Sequence, residues 1–340
     1  MTDEDARSRL NALADFWGRK LAAPTERLHY GAYGTPVHVA TNDPLILDAA
    51  RLAAGRYSRT STVHAPLHLT VIHDPRLPAE PIPANWPTHL RYLAVGRWQM
   101  IAREPWVFAA LDRAQQQAVA WISTPLMHAP YFLSRYVFDT LTLNTLIHTG
   151  VGQLHASCLY RDNRAILFAA PHNTGKSTTS FRLVHRGYRI LADGMSYVRL
   201  TARGFELMGY PVGEVKLRRD VLDQFPALTG RGRALLVRED KKMIYNLRAT
   251  MPDRVCEESV FPEEIVICLL ERDGQRETVA TPIDAAMALD GLWLDAAHYD
   301  DRAIIERNLS ALQALLAHAC CYRLNIGTDT TALVETVDGL

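Results

Sequence analysis

A glycine-lysine-serine triplet, Gly175-Lys176-Ser177, lies between the apolar run Ala165-Ile166-Leu167-Phe168 and an amphipathic stretch that begins at Thr179. A strand, a bend and a helix start in that order suit a phosphate loop. Backbone N–H groups and the helix N-terminus cradle phosphate oxygens, the lysine reaches the β- and γ-phosphates, and the serine hydroxyl ligates magnesium. The cradle assigned from this pattern is Asn173, Thr174, Gly175, Lys176, Ser177 and Thr178. The full signature asks for glycine where this chain has Ala170, and a methyl group fits there if φ is negative. His172 lies inside the loop and receives no role.

What such a loop does depends on the acids and bases that converge on it. Asp193 follows the apolar strand Tyr188 to Ala192 and would sit at its carboxyl end. There it either accepts a proton from a hydroxyl or helps to hold Mg²⁺. Asp193-Gly194 also reads as a hairpin turn between two strand-like runs. His155, in a strand ahead of the loop, is open to two readings, a site residue or a hydrogen-bonded core histidine. Further on, Glu214 is a candidate metal ligand in place of a missing second acid, and Lys216 or Arg218 are candidates to meet a phosphate. A solvated basic face is the alternative for that stretch, and Lys241-Lys242 reads as charged strand-edge chemistry.

The elements that must position these residues follow from periodicity. Leu10, Leu13, Phe16, Trp17 and Leu21 predict an amphipathic helix ending near Pro24. Strands are expected at 37–40, 68–72, 91–95, 99–102, 106–111 and 118–122, with a helix over 45–54 and a proline-rich extended loop from Asp74 to Pro87. Tyr131 to His148 predicts a long helix closed by Thr149-Gly150. Beyond it the expected order is strand 154–160, strand 165–169, the loop, helix 178–186, and strands 188–192 and 196–200. Strands at 243–247, 265–270 and 321–326 and a helix over 304–318 complete the reading. The division is a smaller α+β module over 1–148, a candidate for substrate recognition, and a phosphate-loop domain over 149–340.

Composition narrows the function classes. The chain has 340 residues, 48% of them hydrophobic, which is enough for two cores. Basic and acidic residues balance at 37 each, so no global field favours nucleic acid or an anionic membrane, and a charged ligand must be held locally. The N-terminus lacks a signal-peptide layout and no run reaches membrane-span length, so a cytoplasmic location is expected. Five cysteines without C-x-x-C spacing indicate buried thiols, not a zinc site or a disulfide framework.

Three landmarks resemble the HPr serine kinase/phosphorylase-related family: His155 in a strand before the loop, Gly175-Lys176-Ser177 in it, and Asp193 after Arg186-Gly187-Tyr188-Arg189-Ile190-Leu191. The resemblance covers roughly residues 150–215 and extends weakly to Cys321-Tyr322-Arg323-Leu324, while Tyr30-Gly31-Ala32-Tyr33-Gly34 is similar to divergent relatives associated with peptide modification. It implies a mixed α/β fold with an HPr kinase/PEP carboxykinase-like P-loop catalytic domain. It also implies ATP and Mg²⁺ as cofactors, transfer of the γ-phosphoryl group to a serine or similar hydroxyl of a protein or peptide, and homo-oligomeric assembly. In that scheme Asp193 is the base, His155 supports it, Lys176 stabilises the transferred phosphoryl and Ser177 ligates magnesium. The chain departs from the pattern at Gly194, where the family carries a second acid. A nucleotide-binding regulatory or delivery protein without transfer, and a small-molecule kinase, stay open as alternatives.

Overall fold

Strict alternation of buried and half-exposed residues, as in Thr35–Thr41, marks strands with one covered face. The protein is described from a computed structural model covering residues 24–83, 90–95, 97–171, 174–235, 242–293 and 302–340. The expected helix at Leu10 to Leu21, together with His172, Asn173, Lys241 and the stretch before Pro87, lies outside the described residues. The architecture is mixed α/β. The chain divides into two compact units, residues 1–55 with 61–149, and residues 56–60 with 150–340.

In the first unit seven strands form one sheet: β1 (Glu26–Ala32), β2 (Thr35–Thr41), β3 (Leu67–His73), β4 (Arg91–Val95), β5 (Trp98–Arg103), β6 (Val107–Asp112) and β7 (Gln117–Ile122), in the order β1-β2-β3-β7-β6-β5-β4. The β2–β3 and β3–β7 pairs are parallel. Helix α1 (Pro44–Ala54) provides the crossover between β2 and β3, capped by Asp43, whose carboxylate accepts from Leu45 N at 2.9 Å. The expected long helix is present as Pro130–Leu133, a π-type turn Ser134–Phe138 and α2 (Asp139–Leu146).

The second unit is built on a six-stranded sheet. Its strands are β9 (Ala156–Arg161), β10 (Arg164–Ala169), β11 (Arg189–Ala192), β17 (Glu264–Glu271), β18 (Val279–Pro282) and β19 (Cys320–Asn325), ordered β11-β9-β10-β17-β19-β18. β10, β17 and β19 run parallel. Their near-continuous apolar sequences follow from burial on both faces. One face, with Leu159, Ile166, Phe168 and Val266, packs on helix α3 (Lys176–His185) through Phe181 and Val184. The other, with Cys158, Leu167 and Ile267, packs on α4 (Ala285–Trp293) and α5 (Arg302–Leu316) through Leu292, Leu312 and Leu315. Helix α6 (Thr330–Asp338) covers the first face with Leu333 and Val337.

Two small sheets complete this unit: β13-β12-β8, from β8 (Gly152–Leu154), β12 (Met195–Thr201) and β13 (Gly204–Tyr210), and β14-β16-β15, from β14 (Glu214–Arg218), β15 (Arg233–Leu235) and β16 (Lys242–Asn246). The strand expected over 154–160 is therefore two strands in two sheets, broken at His155. Asp193-Gly194 is likewise no hairpin, because β11 and β12 belong to different sheets. All five cysteines are free, and all but Cys320 are buried. Among the described residues no helix is long and apolar enough to cross a membrane.

Candidate functional site

Both chain breaks between sheets fall at the same place. Ser157 on β9 donates its hydroxyl hydrogen to the Asp193 carbonyl at 3.0 Å, and Ser196 on β12 donates to the Ala156 carbonyl at 2.9 Å. These two buried bonds tie the turn after His155 to the turn at Asp193. Gly209 on β13 allows the sheets to close on each other: a Cβ there would stand 1.9 Å from the Leu191 carbonyl oxygen. A ligand crevice at such a switch between strands is the general expectation for open α/β sheets.

The loop that carries Gly175-Lys176-Ser177 opens beside this junction. Gly175 caps α3 with φ +109°, a left-handed conformation that costs a side-chain-bearing residue strain. Ala170 is not among the residues with positive φ, and its methyl group is buried with Phe168 and Phe181, so its departure from the signature costs the loop nothing sterically. Lys176 extends its ammonium to donate to the His155 carbonyl at 3.3 Å. Thr174 folds its hydroxyl back to the Pro171 carbonyl at 3.0 Å. Asn173, assigned to the cradle from the sequence, lies outside the described residues.

Asp193 is 5% exposed. Its Oδ2 accepts the backbone N–H of Lys216 at 2.9 Å. Its Oδ1 is buried and takes no hydrogen bond of normal geometry from the described residues. Burial pushes the carboxyl up to about 6, against the lowering pull of the Lys216 N–H, the nearby Ser177 hydroxyl and the Lys216 and Lys176 ammonium groups. A buried acid with one unpartnered oxygen beside a serine hydroxyl fits a magnesium ion of the usual sparse kind, in which phosphate oxygens and water supply the remaining ligands. Among the described residues no group of three or more His, Cys, Asp or Glu side chains forms an all-protein metal cage.

These residues share a cavity of about 170 Å³ lined by His155, Gly175, Lys176, Ser177, Thr178, Asp193, Lys216, Arg218 and Lys242, among others. That is below the range of pockets that enclose a whole drug-sized ligand, so the cavity suits the charged end of a ligand. Glu214, the candidate third metal ligand, is not brought there. Its Oε1 accepts from Arg56 Nε at 2.9 Å in an ion pair whose arginine side chain is only 3% exposed.

Two cations near the site were not assigned from the sequence. Lys242 reaches the cavity because it pairs with Arg218 across the β14–β16 ladder, and the pleat puts both on one face. Arg272, just past β17, holds its guanidinium 3.4 Å from where a Cβ on Gly175 would lie. Its signal in the sequence is its position at the carboxyl end of a strand parallel to β10.

No family model matches the chain, and no curated protein matches it. A solved structure described as the Hpr(Ser) kinase/phosphatase from Coxiella burnetii is similar at 13% sequence identity, covering 54% of this chain and 91% of that one, with a TM-score of 0.29. At that score the likeness assigns nothing.

Proposed function

We propose that the protein is an ATP-dependent kinase that transfers the γ-phosphoryl group to a serine, or a similar hydroxyl, of a protein or peptide. The observation that carries the reading is Asp193: a buried carboxylate with one unpartnered oxygen, in one cavity with Lys176, Ser177 and the N-terminus of α3. A carboxyl near 6 is largely ionised at neutral pH and still basic enough to take a proton.

In this reading the acceptor O–H gives its proton to Asp193 as its oxygen forms the new bond to the γ-phosphorus. The bond from phosphorus to the β,γ-bridging oxygen breaks, and ADP leaves with that electron pair. Asp193 then releases the proton to solvent. Lys176 and the N–H groups of α3 compensate charge on the transferred group, which is most of what phosphoryl transfer demands. Magnesium, held by Ser177 beside Asp193 and by the phosphates, would add charge neutralisation. His155 supports the arrangement through its carbonyl, which fixes the Lys176 ammonium.

The test is transfer of label from γ-labelled ATP to a library of serine peptides. Transfer is expected for the native chain and a fall of at least about a hundredfold for Lys176→Ala and Asp193→Asn. Transfer retained in both variants refutes the assignment. A second reading, nucleotide binding without transfer, is favoured by Gly194, which leaves the site without a second carboxylate. It predicts ATP binding with no labelled product.

A further inference from the structure

The first unit carries a cluster of imidazoles that the proposed reaction does not use. His29 on β1, His38 on β2 and His68 on β3 occupy mutually paired positions on three adjacent strands. Alternation turns Val37, Val39, Leu67 and Leu69 into the core and leaves the three imidazoles on the opposite face of the sheet. With 13 histidines in 340 residues, a row of three at paired positions is not what random placement produces.

The rings of His29 and His38 stack with centroids 4.4 Å apart, and those of His38 and His68 meet edge to face at 5.1 Å. Among the described residues none of the three rings has a hydrogen-bond or ion-pair partner, so their nitrogens are open to a ligand. Imidazole suits zinc, copper and nickel, whereas magnesium and calcium prefer oxygen ligands. Two imidazoles on one tetrahedral zinc, with Zn–N bonds of about 2.0–2.1 Å, hold their centroids about 5 Å apart. The His38–His68 pair already stands at that separation. The stacked pair is tighter, and no three His, Cys, Asp or Glu side chains among the described residues are placed to hold one ion together. His29 therefore packs on the His38 ring and fixes its orientation as a positioning residue. Arg27, on the same face of β1, lies two strands away from β3 and so does not set its charge beside His68.

We propose that His38 and His68 form a two-imidazole site for a divalent transition-metal ion of the zinc type, with water in the remaining positions. The ion ties β2 to β3 across their parallel pairing. This site is independent of the kinase reading, whose residues lie in the second unit.

The experiment titrates the full chain with Zn²⁺ by calorimetry at pH 7.5 without nucleotide, with Mg²⁺ as the control ion. Zinc is expected to bind about tenfold or more weakly to His38→Ala and to His68→Ala, and to lose less than about threefold in His29→Ala. Hydrogen exchange of the native chain, with zinc at one hundred times its Kd, should slow the amides of β2 and β3 by about tenfold or more. The amides of β9, β10 and β17 should keep their rates, and His38→Ala should erase the difference. This second measurement needs no variant and covers the case of a substitution that disturbs the sheet. Zinc binding unchanged by both the His38 and His68 substitutions, or protection that appears in the second unit instead, overturns the proposal. So does magnesium that displaces zinc at an equal concentration, or a loss in His29→Ala as large as in His68→Ala.

Discussion

At Asp193, in the proposed kinase, one buried carboxyl would link stability to activity with opposite signs. Its folded pKa, about 6, lies above its ordinary value of 3.8. The protonated carboxyl therefore stabilises the fold at acid pH, and that contribution is lost as pH rises from the ordinary value through about 6. Activity of the proposed kinase would run the other way, because only the ionised form accepts a proton. With magnesium and ATP saturating, kcat/KM should fall toward acid pH as Asp193 takes up a proton. Asp193→Asn should abolish transfer yet raise stability at pH 7.5, measured by denaturant unfolding with chelator present, by about 1–3 kcal/mol. The amide oxygen keeps the Lys216 N–H satisfied while the buried charge is removed. Gly175 makes a separate demand. With φ at +109°, Gly175→Ala should cost about 1–2 kcal/mol and weaken nucleotide affinity, because the loop must shift to relieve the strain.

The carboxylate is held in place at the level of strands. Ser157 holds the Asp193 carbonyl, and Gly209 lets β13 lie against β11 at Leu191. Gly209→Ala should destabilise by about 2–4 kcal/mol, because the atom its methyl meets is backbone and cannot rotate away. Protein that still folds should bind nucleotide through the loop but transfer poorly, a difference that calorimetry and the labelled-ATP assay would separate. The local parts of this arrangement were legible in the sequence. The order of β10, loop and α3 is a pattern of adjacent residues, and Asp193 follows an apolar strand by one step. The partition of strands among sheets was not legible, because a run such as 154–160 has the same apolar content whether it is one strand or two. The placement of Glu214 outside the cavity and of Lys242 in it was not legible for a related reason. Their surroundings depend on Arg56 and on the register with Arg218, and neither partner is near in sequence. Strands β13 and β18 escaped notice because neither alternates: β13 is buried at every position after Gly204, and β18 is short with no buried position.

For the molecule as a whole, equal numbers of acidic and basic residues give no net field, so the proposed nucleotide would have to be held by local groups such as those that line the cavity around Lys176. Every residue lining that cavity belongs to the second unit. Ligand binding stabilises the cooperative unit that holds the ligand, by about 2.7 kcal/mol at a concentration one hundred times Kd. Hydrogen exchange with and without ATP and magnesium at that concentration should therefore show the slowest amides of β9, β10 and β17 protected about a hundredfold further. The slowest amides of β3 and β7, in the first unit, should keep their rates. Lys176→Ala should erase the difference in the second unit at the same ligand concentration. Protection rising first in β3 and β7 would put the nucleotide on the other unit, and the cationic cavity would then need a different ligand.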